Sequence, residues 1–155
     1  MTASAAGDLG GKNLLVVNTG NRKKRVTLRR LRALGCELII LNASENWAST
    51  YAAHWILADT NDHTASLRAV KDFFARHPEL GPDGVITFWE DDFLLTSRIR
   101  DRLGLIGIPY QVARRARDKH LFRAFCSEHG LPSPGHAMID AGADPKESVK
   151  GLQFP

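Results

Sequence analysis

The sequence predicts an α/β domain in which helices flank a parallel β-sheet. Short apolar runs alternate with longer amphipathic stretches up to about Pro109, which is the pattern of repeated strand–helix units. The runs Asn13–Asn18, Cys36–Leu41 and Val85–Phe88 have the composition of buried strands. A strand, a helix and a second strand within about thirty residues form a βαβ unit, whose crossover should be right-handed.

Two amphipathic segments between these strands are predicted as helices. Apolar residues recur at helical spacing over Lys24–Ala33, and Gly35 ends that helix. The second helix covers His63–Arg76 and is stopped by Pro78. A third strand is predicted between the two helices, at Trp55–Ala58.

The segment before this third strand combines turn-forming and aromatic residues. Trp47, Tyr51 and Trp55 stand four residues apart, the spacing of a short helix. Three aromatic residues in one stripe favour packing in a core or under a lid over a ligand pocket.

Acidic residues follow the strand at Val85–Phe88 and precede a further helical pattern. The end of a strand followed by a helix start is where open α/β sheets bind ligands. Asp91 and Asp92 are interpreted as helix-capping residues, because carboxylates accept hydrogen bonds from free N–H groups and complement the helix dipole. Glu90 is therefore the better candidate for touching a substrate.

The remainder of the chain is predicted as one long helix among extended pieces. Leu103–Pro109 closes the preceding helix and leads into a short extended segment. A helix opens at Asp118 and ends at Gly130, after which two prolines prevent it from continuing. Ala137–Ile139 is predicted as a strand, and Asp144 as the cap of a short helix.

The positive charge is concentrated in one stretch. Its apolar residues are spaced as a helix buries them, which favours a solvated helix face. Contact with an anionic ligand or phosphate is the alternative, and nucleic-acid binding is a weaker one because no aromatic residue interleaves with the charges. Seven of the 21 basic residues lie here, with no acid between them: Arg22, Lys23, Lys24, Arg25, Arg29, Arg30 and Arg32.

Composition excludes some classes of protein. No run of eighteen apolar residues exists, so no transmembrane helix is predicted. The first twelve residues are small and polar without an apolar core, which predicts a disordered leader over 1–12 and no signal peptide. Cys36 and Cys126 are predicted as buried reduced thiols, consistent with the cytoplasm.

Short motifs of common enzymes are missing from the sequence. The phosphate loop GxxxxGK[ST], the dinucleotide fingerprint GxGxxG, the zinc motif HExxH and the nucleophile elbow GxSxG do not occur. Neither a catalytic residue nor a metal ligand is therefore assigned. The residues alone predict a ligand crevice at the strand ends.

Three motifs together carry a family resemblance. T-x-x-E occurs at Thr87–Glu90, L-G-x-x-G-x-P at Leu103–Pro109, and D-K-x3-R with G-L-P-x-P at Asp118–Pro134. In this order they resemble the amino-terminal region of the ATP-grasp carboxylate–amine ligases, especially the branch of L-amino acid ligases and carnosine synthases. The resemblance covers Asn13–Pro155.

This resemblance implies a domain organisation and an ATP-binding residue. Residues 13–110 would form the Rossmann-like domain that precedes the ATP-grasp lobes, and residues 111–155 the linker helix and the truncated start of the ATP-grasp domain. The lysine at the position of Lys119 commonly reaches the nucleotide phosphates in this family.

The resemblance also implies a substrate site. An acid at the position of Glu90 helps to hold the amine or acceptor substrate in several members. Thr19, Gly20 and Asn21 follow the first strand and are expected to line the same crevice.

A full-length parent would use ATP and Mg²⁺ to join a carboxylate, an amino acid or other small acid, to an amine through an acyl phosphate. The second ATP lysine, the adenine-binding segment and the Mg²⁺ ligands lie beyond Pro155 in this family. This chain alone is therefore expected neither to bind ATP tightly nor to catalyse. The apolar ending Leu152–Pro155 favours a truncated ligase.

The alternative function is a free-standing Rossmann-like domain that binds a small molecule or regulates a partner subunit. The expected partners are ATP and a small-molecule substrate, with a homodimer left open. Neither a membrane nor a nucleic acid is expected as a partner.

Overall fold

A computed structural model describes residues 9–152 of the chain. Residues 1–8, most of the expected leader, and residues 153–155, most of the expected terminal strand, lie outside the described residues. The chain forms two compact units, the first ending at Tyr110 and the second beginning at Gln111. Each unit is described by itself.

Four parallel strands form the sheet of the first unit. In chain order they are β1 (Asn13–Val17), β2 (Glu37–Asn42), β3 (Ala52–Leu57) and β4 (Gly84–Ile86). Their order across the sheet is β3-β2-β1-β4, and every pair is parallel. In the central strand, Leu15 is paired with Ile39 on one side and Val85 on the other. The predicted α/β class with a parallel sheet is confirmed.

Within residues 9–152, six α-helices and four short 3₁₀ turns connect and follow the strands. The helices are α1 (Arg25–Ala33), α2 (His63–Arg76), α3 (Phe93–Leu103), α4 (Tyr110–Arg117), α5 (Lys119–Glu128) and α6 (Pro145–Ser148). The 3₁₀ turns cover Arg22–Lys24, Trp47–Thr50, Pro78–Leu80 and Glu90–Asp92. Among the described residues, no helix is long and apolar enough to cross a membrane.

The sheet is covered on both faces, which explains why Leu14–Val17 of β1 and Leu38–Leu41 of β2 are all apolar. Successive side chains of a strand point to opposite faces, so each strand contributes to two clusters. The cluster on one face includes Leu15 and Ile39 from the sheet together with Phe73 of α2 and Ile99 of α3. The cluster on the other face includes Val16, Leu38 and Ile40 from the sheet, with Leu28 of α1 and Cys36.

Helix ends use the capping residues that the sequence predicted. The Asp118 side chain accepts hydrogen bonds from the backbone N–H groups of His120 and Leu121, and Asp144 caps α6 in the same way. Gly104, with φ of 64°, ends α3 in the left-handed conformation. Both cysteines are free and buried, as predicted.

Some predicted elements are wrong. The strand predicted at Trp55–Ala58 begins earlier, at Ala52, so Trp55 belongs to β3 and not to a helical stripe with Trp47. Residues 137–139 form no strand. Helix α4 was not predicted at all, since half of its eight residues are Gln or Arg and its three aliphatic residues, Val112, Ala113 and Ala116, are mostly small.

Residues 9–12, which fall within the expected disordered leader, make defined contacts in the structure. The Leu9 N–H donates to the carbonyl of Leu34, and the Gly11 N–H donates to that of Gly35, both at 3.1 Å. The Lys12 ammonium lies 2.8 Å from the Asp83 carboxylate. Residues 9–12 are therefore anchored to the turn between α1 and β2 and to the loop before β4.

Gly35→Ala should destabilise the protein more than Gly104→Ala. Both glycines have positive φ, so each substitution should cost about 1–2 kcal/mol in backbone strain. At Gly35 the added Cβ would also lie 2.7 Å from the Cα of Gly10, whereas at Gly104 nothing lies within 4 Å. Urea unfolding measures the difference. Gly81→Ala, at negative φ, is the control and should be nearly neutral. Equal losses of stability in the Gly35 and Gly104 variants would contradict the close contact between Gly35 and the Gly10 backbone.

Candidate functional site

The loops that follow β1 and β4 meet at the carboxyl edge of the sheet. The two strands are parallel neighbours, so their carboxyl ends lie side by side. The loop after β1 contains residues 18–21, and the loop after β4 contains residues 87–92. We refer to these two loops, residues 18–21 and 87–92, as the carboxyl-edge crevice.

A hydrogen bond between two side chains joins these loops. The Asn18 Nδ2 donates to the Asp92 carboxylate at 2.7 Å, and Asp92 is only 4% exposed. Asn18 has φ of 61°, a left-handed conformation that asparagine tolerates. Its Oδ1 accepts the Gly20 N–H at 2.8 Å. Asp92 therefore holds the β1 loop through one asparagine.

This contact corrects the interpretation of Asp92 as a capping residue. Asp92 does occupy the position before α3, but its side chain makes no capping hydrogen bond. The hydroxyl of Thr96 instead donates to the Asp92 backbone carbonyl at 2.8 Å, and the carboxylate is used to hold Asn18.

Two tryptophans hold Gly20. The Trp47 Nε1 donates to the Gly20 carbonyl at 3.3 Å. Gly20 has φ of 58°, and a Cβ at this position would lie 2.9 Å from the ring of Trp89. Only glycine fits this turn without moving the ring. From the sequence, Trp47 is expected only to pack and Trp89 has no predicted role, so neither tryptophan is predicted as part of the site.

The three predicted residues of the β1 loop differ in exposure. Thr19 is buried, and its hydroxyl accepts the Asn46 Nδ2 at 2.9 Å. Asn21 is exposed, and its side chain accepts the Lys23 N–H at 2.9 Å, which caps the 3₁₀ turn that follows. Thr19 thus stabilises the loop from within, while Gly20 and Asn21 form its surface.

Glu90 lies at the same edge of the sheet. It is exposed and begins the 3₁₀ turn at Glu90–Asp92, directly after Trp89. The Thr87 hydroxyl accepts the Trp89 N–H at 3.0 Å, and this hydrogen bond stabilises the backbone just before the turn. The loop that carries Glu90 meets the Thr19–Asn21 loop through the contact between Trp89 and Gly20, and the substrate contacts of Glu90 and of Thr19–Asn21 stay a prediction.

Lys119 belongs to the second unit. It is the first residue of α5, immediately after the capping residue Asp118, and it is exposed. Its ammonium group makes no ion pair within residues 9–152. A free cation at this place is compatible with a phosphate contact, which stays a prediction.

A histidine near the crevice was not singled out from the sequence. His63 is the first residue of α2, and burial lowers its pKa, with a further lowering from the Arg98 guanidinium. The Asp92 carboxylate raises the same pKa by a smaller effect. The sequence around His63 resembles that of any exposed helix start. His63 could not be singled out from it, because only the folded chain brings Arg98 and Asp92 close to the imidazole.

The described residues offer no metal centre. Within residues 9–152, no group of three or more His, Cys, Asp or Glu side chains could hold a metal ion.

Comparison with known proteins shows which proteins this chain resembles. No family model matches the sequence. Carnosine synthase 1 from Homo sapiens is 28% identical over 94% of this chain, which corresponds to 19% of that protein. The chain thus spans about a fifth of its curated relative. Its predicted resemblance to the amino-terminal region of ATP-grasp ligases is confirmed.

Solved structures support the same fold. An L-amino acid ligase from Bacillus licheniformis has a TM-score of 0.75 and 21% identity, covering 94% of this chain and 36% of the ligase. Phosphoribosylglycinamide synthetase from Anaerococcus prevotii has a TM-score of 0.72 and 20% identity, covering 93% of this chain and 35% of that protein. At these identities the likeness establishes the fold.

Asp92→Ala should destabilise the protein by about 1–3 kcal/mol, because it leaves the half-buried Asn18 amide without its acceptor. Urea unfolding measures the loss, and the backbone amide resonances of Thr19 and Gly20 should shift. Asp72→Ala removes the same charge from an exposed position of α2 and should change stability by less than about 0.5 kcal/mol. Similar losses in the two variants would refute the role of Asp92.

His63 should titrate below its ordinary pKa of 6.5. Because the folded-state pKa is lowered, His63 stabilises the fold most above that pH and contributes less as the pH falls. An NMR titration of the imidazole measures this pKa directly. Arg98→Gln should raise it, since a nearby positive charge is removed. A value above 6.5 would contradict the described surroundings of the ring.

Proposed function

We propose that this chain is the amino-terminal part of an ATP-dependent carboxylate–amine ligase whose substrates are amino acids or small carboxylates. The observation that carries the proposal is the similarity to carnosine synthase 1 over 94% of the chain. The fold supports it, because the matched regions of the ligase structures have the same architecture.

The proposed boundary between functional parts lies near residue 110. Residues 13–110 would recognise substrate through the carboxyl-edge crevice, and residues 111–155 would lead into the ATP-grasp lobes. The chain covers 19% of its human relative and 36% of the L-amino acid ligase. Most of a complete ligase of this kind would therefore lie in other residues.

Lys119 is the proposed phosphate-binding residue. Its exposed ammonium group has no ion-pair partner within residues 9–152, so it is available to an anion. A cation at the phosphates of ATP offsets the charge that moves during phosphoryl transfer, which is the dominant contribution to catalysis of that step.

Glu90 is the proposed contact for the amine of the acceptor substrate. Its carboxylate is exposed at the carboxyl edge, where a charged hydrogen bond to an ammonium group would orient the amine. Gly20 and Asn21 would form the opposite wall, and Thr19 would hold that wall in place. The Mg²⁺ ligands of the complete ligase would lie in the ATP-grasp lobes, as the family resemblance implies.

Residues 1–155 alone should neither bind ATP–Mg²⁺ at micromolar concentration nor release ADP when amino acids are added. In the ligase isolated from its own cells with its ATP lobes, Lys119→Ala should lower kcat/KM for ATP by at least about 100-fold. Calorimetry and an ADP-release assay measure the two effects. Lys71→Ala, an exposed lysine of α2, is the control and should leave the rate unchanged.

Two results would overturn the proposal. If the isolated protein released no ADP with any carboxylate and amine pair, it would not be a ligase. If residues 1–155 bound ATP at micromolar concentration and Lys119→Ala abolished the binding, the chain would carry a nucleotide site of its own.

A further inference from the structure

A small cavity lies beside β4, an edge strand of the sheet. Within residues 9–152, β4 is paired with β1 on one side and with no strand on the other. The cavity has a volume of about 200 Å³, and we call it the β4 cavity. Its walls come from the end of β4, from α3 and from the segment that follows α3. The large apolar residues of these walls are Val85, Ile86, Phe93, Ile106 and Ile108.

Four polar side chains also line the β4 cavity, and two of them already have partners. The Thr87 hydroxyl accepts the Trp89 N–H, and the Thr96 hydroxyl donates to the Asp92 carbonyl. Ser97 differs from these two threonines. It is only 3% exposed, and its hydroxyl makes no hydrogen bond to any group within residues 9–152.

Arg100 is the fourth polar residue, and it contains a buried donor without an acceptor. Its Nε is buried and has no hydrogen-bond partner among residues 9–152. Buried polar groups in proteins nearly always have a partner, because an unpaired donor in the protein interior is unfavourable. Ser97 and Arg100 are three residues apart on α3, so their side chains lie on the same face of the helix. The β4 cavity therefore has two neighbouring donors that lack an acceptor.

The position of the Arg100 side chain is fixed by its surroundings. The Asp101 carboxylate accepts a hydrogen bond from the Arg100 Nη1 and another from the Tyr110 N–H at 3.0 Å. The Leu105 N–H donates to the Arg100 backbone carbonyl at 3.1 Å. Between these two anchors, a Cβ at Gly107 would lie 3.5 Å from the Arg100 Cγ and 4.0 Å from its Nε. The missing side chain at Gly107 thus leaves space next to the unpaired donor.

The charges around the β4 cavity favour an uncharged acceptor. Asp101 forms an ion pair with Arg100 and so balances its positive charge. A carboxylate bound beside Arg100 would be repelled by Asp101, whereas a neutral carbonyl group would not. A carbonyl oxygen has two lone pairs, so it can accept from both the Ser97 O–H and the Arg100 Nε–H.

We propose that the β4 cavity binds a small uncharged carbonyl compound with a branched apolar body. Its carbonyl oxygen accepts hydrogen bonds from Ser97 and Arg100, and its apolar body contacts the aliphatic and aromatic walls. An apolar cavity of about 150 Å³ holds benzene, so this one has room for roughly eight non-hydrogen atoms. The inference goes beyond the proposed ligase function, because such binding requires neither ATP nor the ATP-grasp lobes.

Titration of this chain with isovaleramide, followed by NMR, tests the proposal. Binding should shift the backbone amide resonances of Ser97 and Gly107. It should also move the Arg100 Nε–H resonance downfield, because this proton gains an acceptor. A ligand of this size is expected to bind with a Kd of about 1 mM.

Two compounds with the same branched chain test the chemistry of the acceptor. Isovalerate adds a negative charge and should bind at least about threefold more weakly than isovaleramide. Isoamylamine, which is protonated at neutral pH and can only donate, should not bind measurably.

Two variants test the two donors separately. Ser97→Ala removes one hydroxyl and should weaken isovaleramide binding by about threefold or more. Ser127→Ala, at an exposed serine of α5, is the matched control and should leave the binding unchanged. Arg100→Met keeps an apolar stem, removes the Nε donor and should weaken binding by a similar factor. If loss of the Asp101 pair unfolds that variant, the Arg100 Nε–H resonance of the unmodified chain still reports on this donor.

Three results would overturn the proposal. The first is that isovaleramide does not bind at about ten times the expected Kd. The second is that isovalerate binds as tightly as isovaleramide or more tightly. The third is that Ser97→Ala leaves the affinity unchanged and the Arg100 Nε–H resonance does not move, since the contact would then be apolar only. ADP release by the complete ligase is a separate measurement, so the ligase proposal stands or falls independently of these titrations.

Discussion

The candidate site depends on the hydrogen bond between the Asn18 amide and the buried Asp92 carboxylate. Parallel strands bring the ends of β1 and β4 together but leave their loops free to differ. The Asn18 side chain uses both of its polar atoms, one on Asp92 and one on the Gly20 N–H, so a single residue fixes the loop to its neighbour. Asp92 is only 4% exposed, and burying its carboxylate would be unfavourable without a hydrogen-bond donor such as the Asn18 amide. Each side chain therefore needs the other in the folded protein.

The fold was largely predictable because its strongest signals are local. The interiors of β1 and β2 are apolar because both faces of the sheet are covered. Helix α2 covers His63–Arg76 as predicted, before Pro78, and the structure adds Asp62 as its cap. Helix α4 was not predictable because its composition is mostly arginine and other polar residues. Its start is fixed by tertiary contacts instead, since the Tyr110 hydroxyl accepts from Arg98 and the Tyr110 N–H donates to Asp101.

The sequence predicted a ligand site at the strand ends but not the contacts that join the loops there. Trp89 of the loop after β4 does contact Gly20 of the loop after β1, whereas substrate binding by Gly20 and Glu90 stays a prediction. Asp92 could not be distinguished from a capping residue, because a buried anchor and an exposed cap have the same sequence signature before a helix. Trp89 was missed for a related reason, since its contact with Gly20 joins residues 69 positions apart in the chain.

The anchoring of residues 9–12 decides where a fusion partner or affinity tag can be joined. Gly10 touches Gly35, and Lys12 and the Asn13 N–H both bind Asp83. A tag ahead of Leu9 would leave these contacts intact. The predicted leader of twelve residues would suggest starting the chain at Asn13. Removing residues 9–12 would, however, expose the turn before β2 and remove the Lys12 contact with the loop before β4. Expression trials should therefore keep this short segment, although its sequence alone resembles dispensable linker.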